Sequence, residues 1–588
     1  MSAPSPTIVE PLRRVLGWLL GLRNSEGAIL CPAHGIEHTG KSAGVIVIAA
    51  GLARHDPQAD RAALRDIAVQ QGERLVARLE REGDSTCFTF RPGRHDPYNC
   101  SNNVIDGGAC ADALAELSLT FGEELSAEQR ERFQHACVLH AQTYLRYAIL
   151  DKAIPAQRAW AMTGAAGAWR LAGHEVLELA VMEGVGILEG LQYPDGSYAY
   201  HPLEGHPGHP GASDVSAFYQ SRVTAFLLFS LERMGRDPRS ELFRGPILRG
   251  LEFLEALHGP DGIKVGAMEA KPWYWGADRE VASHPFDVFA LARGWSLFGR
   301  EDLGRAALGA FQAWAERLDA QGAPRSHLPE EGWGSSYQCP VFWAGHASWI
   351  ARSLVELGRL EQLEAPARGE GAGLELSQRH HPDAGLVRLE DDAVVAWVRG
   401  ARPPFNVHHG SPRGAGLVRV HSKQSGAELL RGGPSLARLE GEWSASAGLP
   451  SLSRGIASGG KDVRFSLWLA RNAWRTGRRA SALTLPARTA LRGVLLPSLP
   501  VASSAWFLQP EVRLHGDGAE LLSGLAHANG EPVPGARLRR AYRLTGGGLE
   551  VEEELLEYGA ARRPRFRPPA MAEEVVRRSR SHWSYLLR

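Results

Sequence analysis

The sequence predicts an N-terminal (α/α)6-type toroid of repeated helix pairs, residues 1–365, joined through a linker at 366–375 to an antiparallel β-sandwich, residues 376–560. Three observations predict it. In the first half apolar residues recur three and four positions apart, in the second they alternate every second position, and one turn signature recurs along the first half. Residues 561–588, basic and containing proline, read as a loosely held C-terminal tail.

The helical half is carried by stretches such as "ACADALAELSLTF", "AWAMTGAAGAWRLAG", "VTAFLLFSLERMG" and "FDVFALARGWSLFG". Clear copies of the turn fall at Gly27, Gly83, Gly196, Gly262 and Gly322, spaced by about 55 to 65 residues where neighbouring copies are clear. "YLRYAILDKAIPAQRAWAMTG" fills the gap as a degenerate copy, which makes six helix pairs. Such pairs bury their inner faces either in an open solenoid or by closing on themselves. Closure is the expectation here, because the segments after the glycine turns are long and rich in His, Trp, Tyr and Asn. Such loops suit a shared funnel at one end of a ring.

The second half reads as strands. "AGLVRLE", "DAVVAWVRG", "AGLVRVHS", "KDVRFSLWLA", "LRGVLLPSL", "AWFLQPEVRLHG" and "ARLRRAYRLTGGGLEVEEELLEYG" alternate at period two between Gly, Pro and Ser clusters. The break between the halves lies near "LEAPARGEGAG", where periodicity gives way to small and charged residues.

Composition excludes several classes of function. Lys+Arg and Asp+Glu both number 66, so no global field draws the chain to nucleic acid or to an anionic membrane, and an acidic ligand needs a local basic site. The six cysteines show no CxxC spacing and are sparse, which points to free buried thiols rather than a disulfide framework or a zinc cluster. The first residues show no basic start, cleavage site or bilayer-length apolar run, so a cytoplasmic protein is expected. His201, His206 and His209 in "HPLEGHPGHPG" are irregularly spaced and no carboxylate or cysteine cluster completes a set; no metal and no cofactor are expected.

Three local stretches, together with the order of the domains, resemble the polysaccharide lyases of the heparinase II/III and alginate-lyase type. In "YNCSNNVIDGGACADAL", Asn102-Asn103 resembles the loop that presents an asparagine to a uronate carboxylate. "PDGSYAYH" followed by "SAFYQSR" is similar to a DG turn and the catalytic tyrosine, here Tyr219, at a helix start. "FNVHHGSPRGAGLVRV" is similar to the strand loop that lends a histidine, His409, across the domain interface. Two places depart from the pattern: Val104 and Gln220 stand where the family commonly carries histidines.

The resemblance implies β-elimination on a uronic-acid-containing polysaccharide or oligosaccharide. That chemistry removes a proton beside a carboxylate, and the proton is too weakly acidic until the carboxylate charge is neutralised. Amides of Asn102 or Asn103, with Arg222 or Arg413, would supply that neutralisation. Tyr219 would serve as base or as acid, with its phenol, ordinarily near pKa ~10, lowered by a neighbouring cation. His201, His408 and His409 are the candidates to share the proton. Trp273, Tyr274 and Trp275 in "KPWYWGADRE" and Trp333 in "EEGWGSSYQCPVFWAGH" offer faces on which sugar rings stack.

Four alternatives remain open on the sequence. A uronyl C5-epimerase uses the same proton abstraction. A glycoside hydrolase on the same ring needs carboxylates about 5 to 10 Å apart, for which Asp106, Asp112, Asp214 and Asp278 are available. A terpene cyclase of the ring type needs a DxDD acid, and only "LEDDAVV" in the β-half approaches it. A non-catalytic polysaccharide-binding or assembly protein needs none of these.

Overall fold

The computed structural model describes residues 4–88, 101–200, 215–265, 279–324, 340–362, 376–400, 414–431, 441–450 and 498–588, apart from 33, 34, 36, 38 and 281, with scattered positions between 467 and 495. Of the predicted site residues, His201, His408, His409, Arg413, Trp273, Tyr274, Trp275 and Trp333 lie outside the described residues, as does the side chain of Asn102. Asp214 and Asp278 lie outside them too.

The first half is a closed double ring. Its outer helices are α1 (Pro6–Gly21), α3 (Arg61–Arg78), α5 (Ala127–His140) continued through a π-turn into α6 (Arg146–Asp151), α8 (Glu175–Leu191), α10 (Glu241–Ala256) and α12 (Glu301–Ala315). The inner helices are α2 (Gly44–His55), α4 (Ser101–Phe121), α7 (Pro155–Ala172), α9 (Ala217–Arg233) and α11 (His284–Phe298). A broken sixth inner helix follows: α13 (Pro340–Gly345), α14 (Ala347–Ala351) and α15 (Leu354–Glu361). Each inner helix packs on the next, and α14 returns to α2.

Small residues make that closure possible. A side chain at Gly44 would lie 2.4 Å from the carbonyl oxygen of Gly345, and one at Gly51 2.6 Å from that of Ala351. On the outside, α1 packs against α13, α14 and α15, and Arg14 of α1 donates to the carbonyl of Asp319 in the turn after α12. An open solenoid would leave α1 without this partner.

The recurring turn has one geometry. Bridges Arg23↔Ile29, Gln192↔Tyr198, His258↔Lys264 and Leu318↔Pro324 repeat at the same offset, and Gly27, Gly196, Gly262 and Gly322 all take positive φ. The aspartate or asparagine in each turn accepts backbone N–H bonds, as Asp195 does from Ser197 and Asp319 from Ala323. Glycine is also needed for space: a Cβ at Gly196, Gly262 or Gly322 would lie 2.0 to 2.3 Å from a carbonyl oxygen of the following outer helix, α10, α12 or α1. Gly83 differs; it turns a small hairpin of β1 (Leu79–Glu82) and β2 (Ser85–Phe88).

Among the described residues the second half contains three antiparallel sheets. One has the order β3 (Ser377–His381), β4 (Leu386–Glu390), β5 (Val394–Arg399), β6 (Gly416–Ser422), β7 (Glu428–Arg431). The others are built from β8 (Glu442–Ser446), β9 (Val501–Ser503), β10 (Glu511–His515), β11 (Gly518–Ser523), β12 (Ala526–His527), β13 (Ala536–Leu544), β14 (Leu549–Tyr558), β15 (Arg562–Arg567), β16 (Glu573–Arg577) and β17 (His582–Leu587). Their orders are β12-β9-β8-β15 and β10-β11-β13-β14-β17-β16.

Two expectations are corrected. The segment 561–588 is not a loose tail: β15 pairs with β8, β17 pairs with β14, and Tyr585 and Leu587 are buried. Its arginines and prolines mask an alternating pattern whose inward positions, Phe566, Tyr585 and Leu587, are spread over separate short strands. The second half is also not wholly β, since Arg479–Ala490 forms helix α16.

The central strands β4, β5 and β6 are buried on both faces. Leu386, Val395, Trp397 and Val418 join the core of the ring, while Val387, Leu389, Ala396 and Val398 join the core of the other sheets. Polar contacts tie the ring side down. Trp397 Nε1 donates to the carbonyl of Ala256 at 2.9 Å, Arg388 pairs with Glu255 at 3.1 Å, and Arg419 pairs with Asp261 at 2.5 Å. The Asp195-Gly196 turn is held there as well, Asp195 Oδ2 accepting from the amide of Ala384 at 2.9 Å. The sheet thus docks on the ring at the glycine turns.

Candidate functional site

All six inner helices direct their N-termini to the end of the ring at which the turns lie. There the early residues of the inner helices converge. The helical turn Thr39–Ser42 brings Lys41, α4 brings Asn103 and Asp106, α7 brings Trp160, α9 brings Phe218, Tyr219 and Arg222, α11 brings Phe286, and His346 stands between α13 and α14.

Two buried cations share one aromatic floor. Lys41 Nζ lies 4.7 Å from the centre of the Trp160 ring, and the Arg222 guanidinium lies 5.4 Å from the same centre, 4.4 Å from Phe286 and 3.4 Å from Phe218. Such contacts hold a cation out of water at reduced cost, because the ring faces carry negative charge density. Gly40 leaves room for Asp106, whose Oδ1 would be 2.5 Å from a Cβ there.

Tyr219 is half-buried at the third position of α9, with its amide donating to the Ser216 hydroxyl at 3.3 Å. Its ring meets Tyr200 at 4.7 Å and Phe218 at 5.2 Å, and the Arg222 guanidinium lies 6.0 Å from its centre. The Ala199↔Val215 bridge pins together the two ends of the segment that contains His201, His206 and His209, next to Tyr219. Lys264–Val265 and Arg279–Glu280 do the same for the segment with Trp273, Tyr274 and Trp275.

Other predicted residues are placed differently. Asn103 is buried, its Oδ1 accepting from the amide of Phe88 at 3.3 Å and its Nδ2 donating to the carbonyl of Thr86 at 3.2 Å. Its amide fastens β2 to α4. Both asparagines lie in the first turn of α4 rather than on a loop. Arg222 is fully buried and donates to the carbonyl of Phe218. Asp112 ion-pairs with Arg352 at 2.6 Å, on the side of the ring away from the funnel.

The two departures from the lyase pattern have structural reasons. Val104 is a fully buried core residue. Gln220 clamps the glycine turn to α9, accepting from the Tyr198 amide at 3.0 Å and donating to the Gly196 carbonyl at 3.1 Å.

Sequence reasoning missed Lys41 and His346. His346 is buried, its Nδ1 hydrogen-bonds the carbonyl of Ala282 at 3.1 Å, and its ring meets Phe286 edge-on at 4.7 Å. Burial, with Arg222 and Lys41 adding to it, holds its pKa well below the ordinary histidine value, so the ring is neutral at neutral pH. The available signal was the charged or ionisable residue set among small ones in "HTGKSAG" and "WAGHASW".

Fold and site together define a protein with an (α/α)6 toroid joined to antiparallel sheets. No family model and no curated protein matches the chain. Among solved structures it is similar to cellobiose 2-epimerase from Spirochaeta thermophila, at 13% identity and a TM-score of 0.40, covering 60% of this chain and 97% of that one. It is also similar to a polysaccharide lyase, at 13% identity and a TM-score of 0.43, covering 61% and 99%. A third is a family 88 glycosyl hydrolase from Bacteroides vulgatus, at 11% and 0.42, covering 60% and 99%. Likeness at this level carries no argument about chemistry, and the ring rests on its own geometry. Among the described residues no group of His, Cys, Asp or Glu is arranged to hold a metal, and no helix is long and apolar enough to cross a membrane. Cys31, Cys87, Cys110 and Cys137 are buried.

Proposed function

We propose that the funnel at the inner-helix N-termini is the active site of a carbohydrate-active lyase that cleaves a uronic-acid-containing polysaccharide or oligosaccharide by β-elimination. The observation that carries this reading is Tyr219: a half-buried phenol at a helix N-terminus, with a buried guanidinium beneath its ring and both ends of two His- and Trp-bearing segments pinned beside it. Lys41 and Arg222 set a positive potential at the floor, which suits a substrate carboxylate and the enolate-like charge that develops on it. Tyr219 takes the proton beside the carboxylate or delivers one to the leaving oxygen, and Asn102 and the segment bearing His408 and His409 complete the acidic-sugar site.

The test is the ultraviolet absorbance of the protein with a panel of uronate-containing polysaccharides, comparing wild type with Tyr219→Phe. A new C4=C5 double bond that appears with wild type and is lost in the variant is the expected result. Solvent deuterium entering the sugar without absorbance would instead make the protein an epimerase. Release of reducing ends without absorbance would make it a hydrolase, and the absence of all three would leave carbohydrate binding alone.

A further inference from the structure

The ring has a second chamber at its opposite end. A core of stacked aromatics closes the ring axis: Trp160 meets Phe226 at 5.0 Å, Phe226 meets Trp349 at 4.8 Å, and Trp349 meets Phe229 at 5.3 Å and Phe289 at 5.2 Å. Beyond Phe229 and Phe289 lies a cavity of about 630 Å³, formed at the C-terminal ends of the inner helices. Its volume is that of a small-molecule site.

The lining carries six arginines against three glutamates. The glutamates are already taken. Glu116 is paired with Arg54, Arg233 and Arg352, while Glu232 and Glu356 both pair with Arg293. Arg170 and Arg359 line the same cavity, and their side chains make no ion pair or hydrogen bond with a described residue. Arg352, with its side chain only 8% exposed, lines it too, its guanidinium paired with Asp112 and Glu116. The Arg170 and Arg359 guanidinium groups, exposed at the cavity and without a carboxylate partner among the described residues, suit an acceptor-rich guest, and the planar donor fork matches phosphate and carboxylate.

We infer that this rear chamber is a binding site for a small polyvalent oxyanion of sugar size, one that carries phosphate or carboxylate groups. It is separate from the proposed active site, because the aromatic core stands between them. The competing physical account is that the arginines only offset the partial negative charge, about half a unit per helix, at the converging C-termini.

The experiment is calorimetric titration of the full chain with inorganic phosphate and, separately, with citrate, at low and moderate salt. Wild type is compared with Arg170→Gln/Arg359→Gln and with Tyr219→Phe. Saturable binding is expected for at least one of the two anions, which identifies the preferred oxyanion. It should weaken about tenfold or more in the arginine double variant and stay unchanged in Tyr219→Phe. Both arginines are exposed, so the double variant should fold; a melting curve in anion-free buffer checks this. Lack of saturable heat with both anions overturns the proposal, as does equal binding by wild type and the double variant. If the double variant proves unfolded, Arg359→Gln alone decides by the same criterion.

Discussion

At the scale of single residues, one short polar side chain reads the same whether it binds a ligand or fastens two elements. Asn103 has the sequence setting of a ligand and is a fastener. Asn103→Ala should therefore cost about 1–3 kcal/mol of stability by stranding the Phe88 amide and the Thr86 carbonyl, a loss that urea unfolding will read. Asn102→Ala should lower turnover of an acidic substrate in the proposed reaction. Gln220→His, which restores the residue of the lyase pattern, should destabilise the chain without raising activity, because it removes the clamp on the Gly196 turn. The place of Tyr219 at a helix start is legible from sequence because a serine cap and an aromatic pair mark it. The surroundings of Lys41 and His346 are not, since they are formed by helices distant in sequence that meet only in the ring.

Elements are legible where their cause is local. The glycine turn is such a case: positive φ, an Asx bond and a fixed offset all act within seven residues, so the repeat is plain from the spacing of its glycines alone. Gly262→Ala should cost more than ~2 kcal/mol, because the new Cβ would lie 2.0 Å from the Gly309 carbonyl and the backbone sits at φ +71. A chevron or urea midpoint will measure it. Elements whose pairing is remote are easily misread. Residues 561–588 have a polar, proline-broken surface pattern, yet β17 runs along β14 from Leu549↔Leu587 to Glu554↔His582. Deleting 561–588 should expose that edge and the Tyr585 site, giving aggregated rather than trimmed, active protein on size-exclusion chromatography.

For the whole molecule, buried titratable groups set the response to acid. Burial holds His140 at a pKa of about 3, and burial with its neighbours holds His284 and His346 well below the ordinary value. Each binds a proton on unfolding below pH ~6.5, so its contribution is complete above that pH and is lost as pH falls; at pH ~5.5 one such histidine costs the fold about 1.4 kcal/mol. Two buried acids act in the opposite sense. Burial raises Asp112 to about 6 despite Arg352, and Glu553 to about 8 despite Arg540. Their penalty is relieved as pH falls. Burial also lowers His55, His380 and His381 and raises Glu232 and Asp383, so six such histidines stand against four such acids among the described residues, and the urea midpoint should drop between pH 7 and 5. A midpoint that rises over that range would mean that the acids dominate.

The sequence by itself determined the period of each half, the turn between paired helices and the count of six pairs, since each depends on side chains close along the chain. Tertiary structure alone decided three further things. The ring closes because glycines on α2 admit the backbone of α13 and α14. The β3–β7 sheet serves two cores, because a strand between ring and sandwich has no face left for water. Charges scattered over some 300 residues of sequence gather into two separate chambers because parallel inner helices carry their early residues to one end of the ring and their late residues to the other.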